Sequence, residues 1–500
     1  MTRLPGRFPR LSSAGGDLLL NASAVLLAAW QSWGSREVLD PDGVAYLDLG
    51  AAWIEGDSSA RWNPYWSPLY AWIVAWAEKL FEPGPEGLAP LLHVVGFGIF
   101  LAALASFRFL LRRVEPDGGS CAWRCAAYAL FLEATLGRIS LARTTPDLLL
   151  ATLLFLAAGL ALERRAVRLG AVLGAAYLAK AAALPLAPVF VLSASRRGGF
   201  ILRSAAAFGL VSGWWIAGLS LTEGKLTFGD AGKLNYAWNV LGVERPYYPP
   251  TARLIFDQPA AYEFAEPFAV TYPPHYGPSH WYRGLALWWD AGLQFERLRG
   301  SFGKTVGLLL GPHLFLLTGL IGLRPSSRPA LLALALAGLA LYQPVFVAER
   351  YVAPFVALFW LAWLPEDAEK SRLFQVAAVL FLAAVLARVR PEEPAGPSPG
   401  VVAQALRDAG VRPGDPVAAV WPDSPYLWAR PAKARIVAES RDPQGCFWRI
   451  ETPRREALLD AFARAGAVWA VAPSPASPSA APGWRRVRET PYVLLRLDPQ

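Results

Sequence analysis

Residues 68–81 read PLYAWIVAWAEKLF, an apolar run interrupted by Glu78 and Lys79 and shorter than the ~20 residues needed to cross a bilayer. Whether this run spans or lies flat decides the side of every later loop. Taken as an interfacial helix on the membrane surface, it lets the run 88–111 pass inward and deliver Arg112 and Arg113 to the cytoplasm. The run 121–137 then returns outward, 146–162 passes in, and Glu163, Arg164, Arg165 and Arg168 become cytoplasmic. Taken as a span, it puts those basic clusters outside, against the excess of Lys and Arg in cytoplasmic loops. The charge pattern decides for the interfacial reading.

Upstream, the first span covers 18–34, with Arg3, Arg7 and Arg10 holding its start in the cytoplasm. Trp30, Gln31 and Trp33 stand where a signal peptide needs small residues for cleavage, so this span is expected to stay uncleaved. Residues 35–87 are then external. Downstream, 169–194 is basic at both flanks (Arg168; Arg196, Arg197) and contains Lys180, Pro185 and Pro188. It reads as two half-spans that turn near Lys180, where irregular backbone must line a cavity or be buried in protein. Span 200–221 leads out to the long external loop 222–303, and 304–323, 329–348, 351–364 and 373–389 follow. Arg324 and Arg328 fall inside, and Glu349, Arg350 and Tyr351 outside. The expected architecture is an α-helical polytopic membrane protein with about eleven transmembrane helices and external interfacial helices.

Composition agrees. Charged residues make up 17% of the chain and hydrophobic ones 54%, where about 25% charged is usual for a soluble protein. The net charge of +9 follows from topology, and a nucleic-acid partner is not implied. Cys121, Cys125 and Cys446 give neither a disulfide framework nor a metal spacing. The stretch 391–400 (PEEPAGPSPG) is a linker that ends a membrane domain, 1–390. Residues 401–500 read as a small α/β domain, with helices 401–409 and 454–465 and strands 417–421, 434–438, 467–472 and 492–497. That domain carries no phosphate-cradling glycine loop and no nucleophile elbow, and is expected to be an extracytoplasmic cap or recognition domain.

Four external clusters could carry chemistry. Asp42, beside Tyr46 one helical turn on, is placed to remove a proton from an acceptor hydroxyl; the same Asp-Gly is also a turn and cap signal. Arg138, Arg143 and Asp147 bracket an outward turn, with Asp147 at a helix start that favours a carboxylate. Lys180 is an ionisable group inside an apolar stretch, a costly placement that marks function, with phosphate or a snorkelling position as its outlets. Glu349, Arg350 and Tyr351 lie between two apolar spans; Arg350 is suited to a phosphate oxygen or to an internal pair with Glu349. All four fall on one face under a topology chosen from positive charge alone. Acids and cations there suit transfer of a polar group from a phosphorylated lipid.

These stretches resemble the GT-C glycosyltransferases, in particular the bacterial protein-mannosyltransferase-like and aminoarabinose-transferase-like branch. The matching motifs are DGVAY (Asp42 to Tyr46) with Gly56 downstream, WSPLY (Trp66 to Tyr70), GRISLARTTPD (Gly137 to Asp147), YLAKAAALP (Tyr177 to Pro185) and ERYVAP (Glu349 to Pro354). The likeness runs over most of 18–390. It implies a multi-pass protein of the bacterial inner membrane, N-terminus cytoplasmic and C-terminal domain periplasmic. It further implies an inverting hexosyl or pentosyl transfer from a polyprenyl-phosphate sugar donor to an acceptor glycan, lipid or protein. Asp42 is the implied general base, Asp147 a second active-site acid, and Lys180 and Arg350 the donor-phosphate contacts. The loop stretch YPPHYGPSHWY (Tyr272 to Tyr282), with His280 and Trp281, looks like the variable acceptor or sugar loop. The first loop has Asp-Gly where related enzymes often have Asp-Glu, and His275 and His280 lack further ligands and read as surface histidines. No metal ligand set emerges, and cofactor need stays open. A transporter or lipid flippase would share the many spans and broken helices, and an assembly scaffold would share the topology without needing an external acid.

Overall fold

The computed structural model describes residues 13–115, 119–243, 251–264, 268, 270–321, 323, 328–421, 426–442, 445–475 and 483–497. Arg3, Arg7, Arg10 and Arg324, which carry part of the sidedness argument, lie outside them.

Prolines, glycines and polar residues break the apolar sequence into helices close to the expected positions. The first helix is Ser13–Gly34, and Pro68–Phe81 forms one helix, as read. The helix Leu88–Val114 is followed by Cys121–Leu132, which continues into a π-helical turn, Glu133–Ile139. The stretch 169–194 breaks where expected. The helix Ala166–Ala179 ends on Lys180, whose backbone is extended, and Ala187–Ala194 resumes with Pro188 in its first turn. A proline there is tolerated because the first-turn N–H has no helical partner. Further helices include Pro41–Glu55, Asp147–Leu162, Gly198–Glu223, Ala291–Leu310, Pro329–Tyr342, Glu349–Trp363 and Arg372–Arg388.

Among the described residues two helices, against the eleven or so spans expected, are long and apolar enough to cross a membrane, Pro85–Val114 and Gly198–Glu223, and shorter apolar helices cover 147–162, 166–179, 181–194 and 329–342. The expected single span 304–323 is instead divided at Gly311, between Ala291–Leu310 and Leu314–Gly319. Only 28% of the apolar window of Gly198–Glu223 is buried, with Leu202, Leu210 and Leu221 more than two-thirds exposed. A soluble core helix buries such side chains, so this is an exposed apolar face of the kind that meets a membrane or a partner surface. Its inner face packs on Ala166–Ala179, where a Cβ at Gly170 would lie 2.0 Å from the carbonyl oxygen of Ser204 and one at Gly174 3.0 Å from that of Phe208. Glycines four apart let two backbones meet, and the Ser204 hydroxyl donates to the Ala166 carbonyl at 3.1 Å.

The C-terminal sheet takes strands from two distant parts of the chain. Its strands are β1 (Arg253–Asp257), β2 (Ala260–Glu263), β3 (Pro416–Trp421), β4 (Arg435–Arg441), β5 (Trp469–Pro473), β6 (Arg485–Arg486) and β7 (Tyr492–Arg496), in the order β1-β2-β4-β3-β5-β7-β6. Strand β3 is parallel to β4 and β5, while β2 joins β4 antiparallel, pairing Ala261 with Ser440 and Tyr262 with Glu439. Helices Pro399–Asp408, Tyr426–Ala432 and Thr452–Arg464 accompany these strands. Strands 417–421, 434–438, 467–472 and 492–497 are thus found nearly as read. The β1–β2 hairpin comes from the loop 222–303, so the sheet extends beyond 401–500. The domain sits directly on the helical part: a Cβ on Gly400 would lie 2.7 Å from Glu86 Cα.

Candidate functional site

The helix Pro41–Glu55 starts from a cap that explains the Asp-Pro-Asp-Gly run. Asp40 is the N-cap, its carboxylate accepting from the Asp42 amide at 2.9 Å, with Pro41 next and left-handed Gly56 closing the far end. The cap therefore belongs to Asp40 and leaves the Asp42 carboxylate for other partners. Asp40 is also held by Arg143 at 3.2 Å. Burial and the neighbouring Asp42 charge raise its pKa, while Arg350, the Asp42 amide and Arg143 lower it. The Asp40 amide donates to the Thr144 hydroxyl at 3.1 Å. The helix start lies so close to this turn that a Cβ on Gly43 would stand 2.3 Å from Thr144 Oγ1.

Three other helix ends deliver their side chains to the same place. Asp147 opens the helix Asp147–Leu162, Lys180 closes Ala166–Ala179, and Arg350 is second in Glu349–Trp363. The first two obey the helix dipole, acid at an N-terminus and cation at a C-terminus. Arg350 joins them, with Nη2 2.9 Å from Asp42 Oδ2 and Nε 3.3 Å from Asp147 Oδ2. Lys180 Nζ pairs with Asp147 Oδ1 and lies 3.7 Å from the centre of the Tyr351 ring. The Thr145 hydroxyl donates to Asp147 at 3.0 Å.

The two acids are not equivalent. Asp147 is 3% exposed and held by two cations and a hydroxyl, whereas Asp42 is 27% exposed. Its second oxygen, Oδ1, faces His275 Nε2 at 3.9 Å. A carboxylate with an accessible oxygen is the one that can take a proton from an incoming group; a saturated one fixes the cations beside it. Lys180 and Arg350 are each about a quarter exposed and keep N–H groups available for an anion. Tyr46 is buried against Trp66 and Tyr70 in edge-on contacts of 5.0 and 5.3 Å. Burial, with the Asp42 charge, pushes its hydroxyl well above the usual range and keeps it neutral.

Other expected residues sit elsewhere. Arg138 turns away into a buried pair with Glu133 at 2.7 Å and donates to the Leu308 carbonyl, with His313 on the other Glu133 oxygen at 2.8 Å. Glu349 is half exposed, 4.0 Å from Arg388, and makes no pair with Arg350. His280 lines a cavity of about 340 Å³ with Trp62, Asn63, Phe268 and Tyr276, and Trp281 is buried edge-on to Phe264. His275 is not a surface histidine. Its side chain is 17% exposed beside Asp42, its ring lies 5.3 Å from that of Tyr426 in the C-terminal domain, and burial lowers its pKa, opposed by Asp42. The aromatic run around it hinted at packing, but no spacing tied it to Asp42. Among the described residues, no group of three or more His, Cys, Asp or Glu is arranged to hold a metal ion.

No protein-family model and no curated protein matches the chain. Among solved structures, ArnT from Cupriavidus metallidurans in the apo state aligns with 98% of this chain and 99% of its own at 16% identity and a TM-score of 0.46. The same protein bound to undecaprenyl phosphate aligns with 97% of this chain and 99% of its own, at 15% identity and a TM-score of 0.48. The Archaeoglobus fulgidus oligosaccharyltransferase in complex with zinc and sulfate covers 91% of this chain and 68% of its own, at 14% identity and a TM-score of 0.48. At these identities the likeness is one of fold.

Proposed function

We propose that the chain is a membrane glycosyltransferase that moves a sugar from a polyprenyl-phosphate donor to an acceptor hydroxyl at the external face. The observation that carries this reading is the meeting of Asp42, Asp147, Lys180 and Arg350, each from a different helix end, in one linked set of ion pairs. Ionisable side chains are costly near the hydrocarbon and are kept for function.

In this reading the donor's phosphate takes N–H groups of Lys180 and Arg350, while Asp147 keeps both cations in place. Asp42 accepts the acceptor's hydroxyl proton through its accessible oxygen. The hydroxyl oxygen forms a bond to the anomeric carbon as the bond from that carbon to the phosphate oxygen breaks. The electron pair leaves with the phosphate, giving polyprenyl phosphate and an inverted glycoside. The leaving group is already an anion stabilised by two cations, so the step needs a base and a charge clamp.

The test is a transfer assay with purified protein in detergent, a panel of radiolabelled polyprenyl-phosphate sugars, and Asp42→Asn. Release of polyprenyl phosphate by the wild type, with at least a hundredfold loss in the variant, supports the reading; general-base removal commonly costs about 10²–10⁴. A variant as fast as the wild type overturns the role of Asp42. Movement of intact donor across a sealed vesicle, without sugar transfer, replaces the reading with a transporter.

A further inference from the structure

The proposed reaction depends on how Asp42 is presented, and the helix that presents it is held from the C-terminal domain. Asp48 lies on the same helix, Pro41–Glu55, and is 5% exposed. Arg430, on the helix Tyr426–Ala432, approaches Asp48 Oδ1 to 3.2 Å through Nε and Glu78 Oε2 to 2.8 Å through Nη2. The Arg430 side chain is 6% exposed, Asp48 5% and Glu78 16%, so a buried cation joins a buried and a partly buried acid from two other segments. Thr271 completes the junction, donating its amide and hydroxyl to the Asp48 carboxylate at 3.1 and 2.8 Å. The Thr271 carbonyl in turn accepts from the Ile436 amide in β4 at 2.8 Å.

The same short helix reaches the site by a second route. Tyr426 stands one turn before Arg430, with its ring 4.9 Å from Tyr272 and 5.3 Å from His275, and His275 faces Asp42. One helix of the C-terminal domain therefore touches the Asp42 helix at mid-length and the imidazole beside its first turn.

Buried ion pairs add little net stability, because desolvation cancels most of their attraction; their better-attested use is to fix one geometry against alternatives. A salt-linked brace is a poor way to glue on a passive cap and a good way to set the angle of a helix.

We propose that Arg430 is a positioning residue for the transfer reaction, holding through Asp48 and Glu78 the helix that carries Asp42. This rests on the reading of Asp42 as the base. The donor-phosphate cations, Lys180 and Arg350, are not among its partners. Losing Arg430 therefore lowers kcat and leaves donor KM nearly unchanged.

The experiment uses the full-length protein in detergent and compares Arg430→Gln, Arg430→Lys and the double variant Asp48→Asn/Arg430→Gln, which leaves neither partner of that pair charged and so guards against simple unfolding. Turnover is measured together with backbone hydrogen exchange in 41–55. The expected result is a kcat about ten- to a hundredfold lower in Arg430→Gln and in the double variant, as for small misplacements of a reacting group. Donor KM stays within about threefold of wild type, Arg430→Lys recovers part of the rate, and exchange in 41–55 is faster wherever kcat is lost. A folded Arg430→Gln or double variant with wild-type kcat and wild-type exchange overturns the proposal, as does a kcat loss with exchange in 41–55 unchanged. If the wild type transfers no sugar, the functional reading fails, and the exchange in 41–55 still decides whether Arg430 holds the helix.

Discussion

Arg350 Nη2 meets Asp42 Oδ2 at 2.9 Å across 308 positions of sequence, while Arg350 Nε meets Asp147 at 3.3 Å. One guanidinium thus binds the exposed acid and the saturated acid together. Its planar fork suits this double duty better than an ammonium.

The division of labour between cations and base separates in kinetics. Lys180→Ala is expected to raise the KM for a polyprenyl-phosphate donor by about ten- to a hundredfold, the worth of one charge-assisted hydrogen bond of roughly 1.5–3 kcal/mol. Asp42→Asn is expected to act on kcat instead. Steady-state kinetics with varied donor checks both; a Lys180→Ala variant with unchanged donor KM removes the phosphate role.

Arg138 is expected to behave as a structural residue. Its pair with Glu133 is 2–3% exposed, and breaking a buried pair by removing one partner costs about 3–5 kcal/mol. Arg138→Gln should lower the thermal unfolding midpoint in detergent and leave donor KM where it was. A raised KM in a variant of normal stability would return Arg138 to the site.

Gly43→Ala tests how tightly the Asp42 turn is packed. A Cβ there meets Thr144 Oγ1 at 2.3 Å and the Thr144 carbonyl oxygen at 3.0 Å, so the helix start must move. Overpacking of this kind costs about 1–3 kcal/mol, and the turnover loss should exceed what the lowered stability explains. Adding Thr144→Ala removes the closest contact and should restore part of both; no gain from the second change would show that the clash is absorbed elsewhere.

Glu439 gives the sheet a pH dependence of defined sign. The residue is 3% exposed in β4, and burial pushes its carboxyl up to about 7, against a hydrogen bond from Tyr272 and the Arg441 charge. The folded state therefore holds a proton that the unfolded chain has released above its ordinary value of 4.5. Its contribution is full below that value and is lost as pH rises through 7, at most about 3 kcal/mol. Thermal melts from about pH 5 to pH 8 should show wild type losing more stability than Glu439→Gln. Parallel curves would mean that Glu439 is ionised throughout.

Much of this was legible from residues alone, for reasons of chemistry. Lys180 breaks an apolar run beside Pro185 and Pro188, and it does end a helix. Asp42, Asp147 and Arg350 announce themselves because charge is rare near membrane-length apolar sequence. Arg138 was read with them for the same reason, since rarity marks a charge without naming its partner. Arg430 and Asp48 went unread because Arg430 lies in the basic stretch 430–435, which looks like solvated surface. Asp48 follows Asp42 at a spacing that does not share a helix face. The hairpin β1–β2 escaped because a short strand at a sheet edge carries little pattern until its neighbour is known.

The mixed origin of the C-terminal sheet bears on how the protein is made. Strands β1 and β2 leave the ribosome well before β4, their partner, and between them come the helices Ala291–Leu310, Pro329–Tyr342, Glu349–Trp363 and Arg372–Arg388. If the chain spans a membrane as proposed, the hairpin meets β4 only where the segment between them crosses an even number of times, so that both ends emerge in one compartment. On the proposed membrane reading, completion of the sheet would then report correct insertion: a chain with one helix left unthreaded would strand its hairpin on the wrong side, with an unpaired strand edge open to aggregation.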